Sequence, residues 1–254
     1  MELKHEGLVA PEDVHLNEPD VFEEDIRTAR RVTSVYVYEA PVRIWHWVNA
    51  ACLVVLMVTG YFIGKPPPSV TIAEPAEQFL FGYLRFTHFV AGYVLAIGFL
   101  GRVYWAFVGN HHARQLFTLP VWDARWREEV LWELRWYAFL EKDPKKYIGH
   151  NPLAQCAMFG FIALGIPFMI VTGFALYGEG QQAGGWADTL FGWVIPLFGS
   201  SLDVHMIHRF GMWAIAIFTV IHIYAAIRED IMSRQSMVST MISGHRTFKD
   251  DDPD

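Results

Sequence analysis

The sequence predicts an all-α integral membrane protein, a bundle of four transmembrane helices with an additional amphipathic helix at the membrane interface. Of the 254 residues, 53% are hydrophobic and 15% are aromatic, which is too apolar for a soluble domain of this size. Four apolar segments, at 44–63, 83–107, 153–177 and 204–227, have about the 20 residues that a helix needs to cross a bilayer. Four such helices make one bundle, so we expect a single domain over residues 35–249.

The segments that flank this domain are polar. Residues 1–34, which include the acidic stretch EPDVFEED, and residues 250–254 are interpreted as solvated tails, with docking to a partner as the alternative. No apolar run precedes the first span, so we expect that span to act as its own insertion signal. No basic patch with interleaved aromatic residues is present, so binding to nucleic acid is not expected.

The distribution of lysine and arginine predicts the topology. The loop between the first two spans carries Lys65, with Arg85 at its boundary, and residues 178–203 carry neither residue type. Basic residues are frequent before span one, between spans two and three, and after span four. Because positive charges are retained on the cytoplasmic side, both termini and the long middle loop are expected to face the cytoplasm.

The long middle loop contains a predicted amphipathic helix. In the stretch PVWDARWREEVLWELRWYAFLEKD, one face carries Trp122, Trp126, Val130 and Leu134, and Asp123 is suited to cap the start. Tryptophan on one face and charges on the other are typical of a helix at the membrane interface. Packing against a partner in the cytoplasm is the alternative.

Four histidines lie inside the predicted spans, where an imidazole is costly unless it binds something. The predicted topology brings His46 and His222 near the cytoplasmic side, and His88 and His208 near the outer side. His208 and His222 are separated by roughly 21 Å along one helix with an offset of about 40°, so both face the same side. Two imidazoles from facing helices at each of two depths predict two metal centres, and haem b is the natural candidate for both.

Other readings of these histidines stay open. A single intramembrane histidine is more often a hydrogen-bonded packing residue or a proton relay. A metal or proton transporter is the alternative for the whole set. His205 is not expected to be a ligand, because its offset from His222 is about 100°.

Small and basic residues surround the two predicted layers. Gly60 and Gly173, each within a VTG motif, could flank the outer haem, with helix packing as the alternative. Gly92 and Gly211 follow His88 and His208 within about one turn, where a flat macrocycle could approach the backbone. Four arginines could neutralise haem propionates or anchor the membrane edges. They are Arg85 and Arg209 on the outer side and Arg43 and Arg228 on the inner side.

Two haems at different depths would conduct electrons across the membrane, and a membrane quinone is the natural acceptor near the inner one. His150, Asn151 and Gln155, at the start of span three, are candidate quinone and proton-handling residues. The segment GNHH at the end of span two, residues 109–112, is a further candidate. Ordinary helix capping and loop solvation are the alternatives.

Five segments of the chain resemble one family. They are YVYEAPVRIWHWVNA, RFTHFVAGYVLAIGFLGRVYWAFVGNHHAR, HNPLAQ, VTGFALYGEG and HIYAAIREDIMSRQSMVSTMISGHRTFKD. Together they resemble the b-type cytochrome subunit of membrane-bound nickel–iron hydrogenases over residues 35–249. The resemblance implies a dihaem subunit of the bacterial inner membrane that holds one haem between His46 and His222 and the other between His88 and His208.

The resemblance also implies partners. It implies that the chain anchors the hydrogenase small and large subunits on the periplasmic face and passes electrons from the small subunit's iron–sulfur cluster to the quinone pool. The chain would have no hydrogen-splitting site of its own. The alternative is the cytochrome subunit of a formate dehydrogenase or a related periplasmic oxidoreductase.

Overall fold

The computed structural model describes residues 33–66, 79–181 and 183–248, and the statements below concern these residues. In chain order the elements are β1 Thr33–Tyr36, α1 Ala40–Gly64, α2 Leu80–Val108, α3 His111–Arg114, α4 Ala124–Tyr137, α5 Pro152–Met158, a π-helical segment Phe159–Leu164, α6 Gly165–Glu179, α7 Trp186–Phe191, α8 Val194–Phe198, α9 Ser201–Met232, α10 Met237–Ser243 and β2 His245–Phe248.

Four helical segments are long and apolar enough to span a membrane, which confirms the predicted all-α membrane bundle. They are α1, α2, the continuous segment Pro152–Glu179, and α9. The predicted tails fall outside the described residues, apart from Thr33 and Ser34 in β1.

The bundle has a small apolar interior and a large apolar exterior. Its core joins Cys52 of α1, Leu95 and Phe99 of α2, Ile166 of α6 and Ile215 of α9. Only 17–28% of each apolar window in the four spans is buried inside the protein. The exposed apolar surface of the spans is therefore suited to contact with lipid.

The third span is interrupted by the π-helical segment. Pro167 has no N–H to donate, and its ring crowds the carbonyl four residues earlier. The backbone forms a wider turn before this proline, in which the Gly165 N–H donates to the Gly160 carbonyl, five residues back. Phe161 lies in this segment and stacks on Phe218 of α9 with the ring centres 4.6 Å apart.

A two-stranded antiparallel sheet, which the sequence did not predict, joins the chain before α1 to the chain after α10. Val35 of β1 lies opposite Arg246 of β2. Gly244 has a φ of +85°, a backbone conformation that residues other than glycine rarely adopt. Its carbonyl accepts hydrogen bonds from the N–H groups of Val37 and Tyr38 at 2.8 and 3.2 Å. The sheet therefore fixes the start of α1 against β2.

The predicted helix of the middle loop is present as α4. Its N-cap is Asp123, whose carboxylate accepts a hydrogen bond from a first-turn N–H at 2.9 Å. Trp126 Nε1 donates to Gln155 Oε1 at 3.0 Å, which ties α4 to α5. Glu133 and Trp136 are buried, so this side of α4 packs on the protein.

The apolar face predicted for α4 is only partly covered. Trp122 is 90% exposed and Leu134 is 47% exposed, while Trp126 and Val130 are half-buried. This surface is available to the membrane, and the interfacial position of α4 stays a prediction.

Replacing Glu133 should change how stability depends on pH. The residue is 1% exposed, and burial raises the pKa of its carboxyl above the usual 4.5. As the pH rises from 4.5 to the raised pKa, the unfolded chain loses a proton that the folded chain keeps, so stability falls across this window. We expect Glu133→Gln to raise the melting temperature at about pH 8 by about 2–4 °C and to flatten its pH dependence.

The matched control for this experiment is Glu128→Gln, because Glu128 lies on the same helix and is exposed. Its melting curve should follow the unmodified protein at every pH. A Glu133→Gln protein that is less stable than the unmodified protein at pH 8 would contradict the assignment of a costly buried charge.

Candidate functional site

The side chains of Thr59 on α1 and His88 on α2 form a hydrogen bond. Thr59 Oγ1 lies 2.9 Å from His88 Nδ1 and donates to the Val55 carbonyl at 2.6 Å. A hydroxyl has one hydrogen, and the carbonyl accepts it, so the threonine oxygen has to accept a hydrogen bond from the Nδ1–H group of His88. This tautomer leaves His88 Nε2 without a hydrogen and able to bind a metal.

The same arrangement recurs between α6 and α9. Thr172 Oγ1 lies 2.8 Å from His208 Nδ1 and donates to the Phe168 carbonyl at 2.8 Å. His208 is therefore also held as the Nδ1–H tautomer with Nε2 free. His88 and His208 are close enough to interact electrostatically. The two histidines therefore form a pair, and both have the same tautomer.

The glycines of the two VTG motifs make room for these rings. A Cβ on Gly60 would lie 3.1 Å from His88 Cε1, and a Cβ on Gly173 would lie 3.3 Å from His208 Cε1. Each motif thus supplies a hydroxyl acceptor and, one residue later, the space for the ring. A Cβ on Gly92 would meet no atom within 4 Å, whereas Gly211 packs against Met169.

His46 of α1 and His222 of α9 face each other with their ring centres 6.4 Å apart. Two imidazoles on opposite sides of one metal have ring centres roughly 6 Å apart, because each metal–nitrogen bond is about 2 Å long and each ring centre lies beyond its nitrogen. The His222 ring stacks on Phe218 at 5.8 Å. His46 Nδ1 is buried without a hydrogen-bond partner in the described part of the chain. Aromatic packing, rather than hydroxyl groups, surrounds this second pair.

Three of the four arginines considered for haem propionates or for the membrane edges contact other groups of the protein. Arg43 donates to the Ile242 carbonyl, and Arg228 lies over the Trp136 ring at 3.7 Å. Arg43 Nε and Arg228 Nη1 are buried and have no partner among residues 33–66, 79–181 and 183–248. Donors of this kind fit an anionic group. On the other side, Arg209 donates to the Gly64 carbonyl at 3.3 Å.

Sequence reasoning missed Arg102. It lies within α2, is 4% exposed, and donates to the Ala113 carbonyl at 2.6 Å. Its Nε and Nη1 atoms find no acceptor within the described ranges. A basic residue inside a predicted span is itself a signal of function, and this signal could have identified Arg102.

Two of the three candidate quinone residues have structural contacts. Asn151 Oδ1 accepts a hydrogen bond from the Ala154 N–H at 2.6 Å and caps α5. Gln155 Nε2 donates to the Thr118 carbonyl at 2.6 Å. In the GNHH segment, Asn110 caps α3. These amides therefore have the capping and loop contacts that were considered as the alternative.

His150, the third candidate, lies beside Tyr38, with 3.2 Å between its Nδ1 and the tyrosine hydroxyl. Burial first, and then the charge of Arg246, lower the pKa of His150 to about 3. Burial also raises the pKa of Tyr38 to about 12. Both side chains are therefore neutral at physiological pH and form an uncharged hydrogen-bonded pair.

The remaining histidine of α9, His205, is exposed. Its Nδ1 lies 2.9 Å from the Ser201 carbonyl, one turn earlier in the same helix. This contact lies within the helix, and the expectation that His205 is not a ligand stays a prediction.

Comparison with known proteins identifies relatives along most of the chain. The family described as prokaryotic cytochrome b561 matches residues 37–244. The "Probable Ni/Fe-hydrogenase B-type cytochrome subunit" of Rhodobacter capsulatus is 62% identical over 232 residues, which are 91% of this chain and 88% of that protein. The protein of the same name from Azotobacter vinelandii is 64% identical over 225 residues, 89% of this chain and 93% of its own.

A more distant relative has a similar name. The "Probable Ni/Fe-hydrogenase 1 B-type cytochrome subunit" of Escherichia coli K12 is 52% identical over 222 residues, which are 86% of this chain and 93% of that protein.

Adding a methyl group beside either outer imidazole should disturb metal binding. Gly60→Ala and Gly173→Ala bring a Cβ to 3.1 and 3.3 Å from a histidine carbon, so the ring has to move away from its position. If the chain binds the two haems that the sequence predicts, we expect each variant to lose part of the haem held by His88 and His208 and to keep the other, as measured by pyridine haemochrome assay.

Gly101→Ala is the control. Gly101 lies on the same span as His88, and a Cβ there would meet no atom within 4 Å. Its haem content should equal that of the unmodified protein. Full haem content in both the Gly60→Ala and Gly173→Ala proteins would show that the outer rings do not need this space.

Proposed function

The chain belongs to the prokaryotic cytochrome b561 family, and from this premise we propose that it is a dihaem cytochrome b that carries electrons from a membrane-bound nickel–iron hydrogenase to quinone. The observation that carries the proposal is the arrangement of four intramembrane imidazoles as two pairs. His46 and His222 would be the axial ligands of one haem b, and His88 and His208 those of the other.

The side chains around both pairs fit this cofactor. The outer imidazoles have Nε2 free, because their Nδ1–H groups are hydrogen-bonded to threonine. The inner imidazoles have the separation that a shared metal requires. When bound, haem b supplies a one-electron iron couple within the membrane. Arg43, Arg102 and Arg228 offer buried N–H groups for the propionates.

The proposed electron donor is the hydrogenase named in the relatives. All three relatives described above are named as cytochrome subunits of Ni/Fe-hydrogenases, which favours this donor over a formate dehydrogenase. The proposed location of the chain is the inner membrane. The distribution of lysine and arginine supports a cytoplasmic location for both termini. In that orientation His88 and His208 are near the periplasm, and the chain anchors the small and large hydrogenase subunits there.

The proposed acceptor is a membrane quinone near His46 and His222. Quinone reduction takes up protons, and the neutral pair of Tyr38 and His150 lies at this end of the bundle. A proton can pass along this hydrogen bond without leaving a costly buried ion pair only as a relay, in which Tyr38 gives its hydroxyl proton to His150 Nδ1, His150 releases a proton from Nε2, and Tyr38 takes up another. We therefore assign Tyr38 and His150 to proton supply rather than to electron transfer.

Single histidine variants test the pairing. His88→Ala and His208→Ala should remove the same haem and leave about half of the haem content of the unmodified protein, because each haem needs both of its axial ligands. Pyridine haemochrome assay and reduced-minus-oxidised spectra measure this. His205→Ala, on the same helix as His208, should keep both haems. Loss of different haems from the two variants would refute the pairing, and full haem content in both would refute a haem at this position.

Activity assays of the whole hydrogenase complex test the direction of transfer. Hydrogen-dependent quinone reduction should fall at least tenfold in His46→Ala or His222→Ala, since the inner haem would be lost. Reduction of an artificial dye by the hydrogenase partner should survive, because that reaction does not pass through this chain. Loss of dye reduction together with quinone reduction would instead indicate a role in assembly.

A further inference from the structure

We propose that Thr59 and Thr172 are positioning residues that lower the reduction potential of the outer haem. This inference rests on the proposed function, because it requires a haem between His88 and His208. Its physical basis is the pair of hydrogen bonds from His88 Nδ1 to Thr59 and from His208 Nδ1 to Thr172, at 2.9 and 2.8 Å.

Each threonine can only act as an acceptor toward its histidine. Thr59 donates its hydrogen to Val55, and Thr172 donates its hydrogen to Phe168, one turn earlier in each helix. The hydroxyl oxygen is thereby oriented with a lone pair toward the imidazole N–H. This fixes the tautomer and the rotation of the ring, and it presents Nε2 toward the space between the helices.

A hydrogen-bonded Nδ1–H group also changes the ligand electronically. An acceptor at the second ring nitrogen raises the basicity of the first, and a more basic imidazole stabilises ferric iron more than ferrous iron. Both imidazoles that would hold the outer haem would receive this effect, because the VTG motif occurs on both helices that face them. The potential of this haem is lowered from both sides.

The inner pair differs in this respect. His46 Nδ1 has no hydrogen-bond partner in the part of the chain that the structure describes, and the His222 ring is held by stacking on Phe218. The threonine effect is therefore specific to the outer haem. It favours electron flow from the outer haem to the inner one, which is the direction that a periplasmic donor requires.

The experiment uses the full chain in its purified hydrogenase complex. Thr59→Val and Thr172→Val remove the hydroxyl acceptor and keep the size of the side chain, while the Leu56 carbonyl, which also accepts from the His88 ring, stays in place. We expect the reduction equilibrium of one haem to shift about tenfold toward the reduced form in each variant, which is 59 mV for a one-electron couple. Optical redox titration measures the potentials, and pyridine haemochrome assay shows that both haems are retained.

Two sets of controls separate this effect from a structural one. Thr59→Ser and Thr172→Ser keep the hydroxyl and should restore the original potential. Thr219→Val removes a threonine of α9 whose hydroxyl makes the same bond to a carbonyl one turn earlier, to Ile215 at 2.8 Å, and should leave both potentials unchanged.

If a valine variant loses haem, Thr59→Cys, with its weaker acceptor, should retain haem and show a smaller shift of the same sign.

Several results would overturn the proposal. One is an unchanged potential in both valine variants with full haem content. Another is a valine variant in which the shifted potential belongs to the inner haem, the one that remains in His88→Ala. An equal shift in Thr219→Val would mean that loss of the helix bond, rather than loss of the imidazole contact, is the cause. Failure of the proposed function has a different signature, because His88→Ala would then retain both haems.

Discussion

An imidazole buried among membrane helices has to satisfy both of its ring nitrogens, and this constraint explains the interior of the bundle. One nitrogen of His88 and one of His208 are satisfied by threonines from the neighbouring helices. The other nitrogen of each ring carries no hydrogen and is able to bind a metal. The glycine after each threonine follows from the same constraint, since a larger residue would push the ring away.

The two pairs of imidazoles are held in place by different means. Hydroxyl groups orient the rings of His88 and His208, whereas Phe218, which stacks on Phe161, orients the ring of His222. Phe161 belongs to the π-helical segment of the third span. Polar, directional contacts at one depth and aromatic contacts at the other would give two haems distinct surroundings within one bundle.

The sequence was sufficient to predict the four spans, since each needs only a long apolar run. It also predicted α4 and its Asp123 cap, because amphipathic periodicity and capping are local. It identified the VTG repeats but assigned the space near the imidazoles only to their glycines. The threonine contacts were missed because they join residues 29 and 36 positions apart. The roles of the four histidines as haem ligands stay a prediction.

By itself the sequence determined the membrane class and the number of spans, because hydropathy depends only on residue order, and the depth that it gives each histidine stays a prediction. The tertiary structure decided which side chains meet. It brought His46 to His222, gave each outer imidazole a threonine, engaged Asn151 and Gln155 in the fold, and buried Arg102 without full pairing. The physical reason is that rotation and packing of one helix against another depend on every side chain between them, and no single segment contains that information.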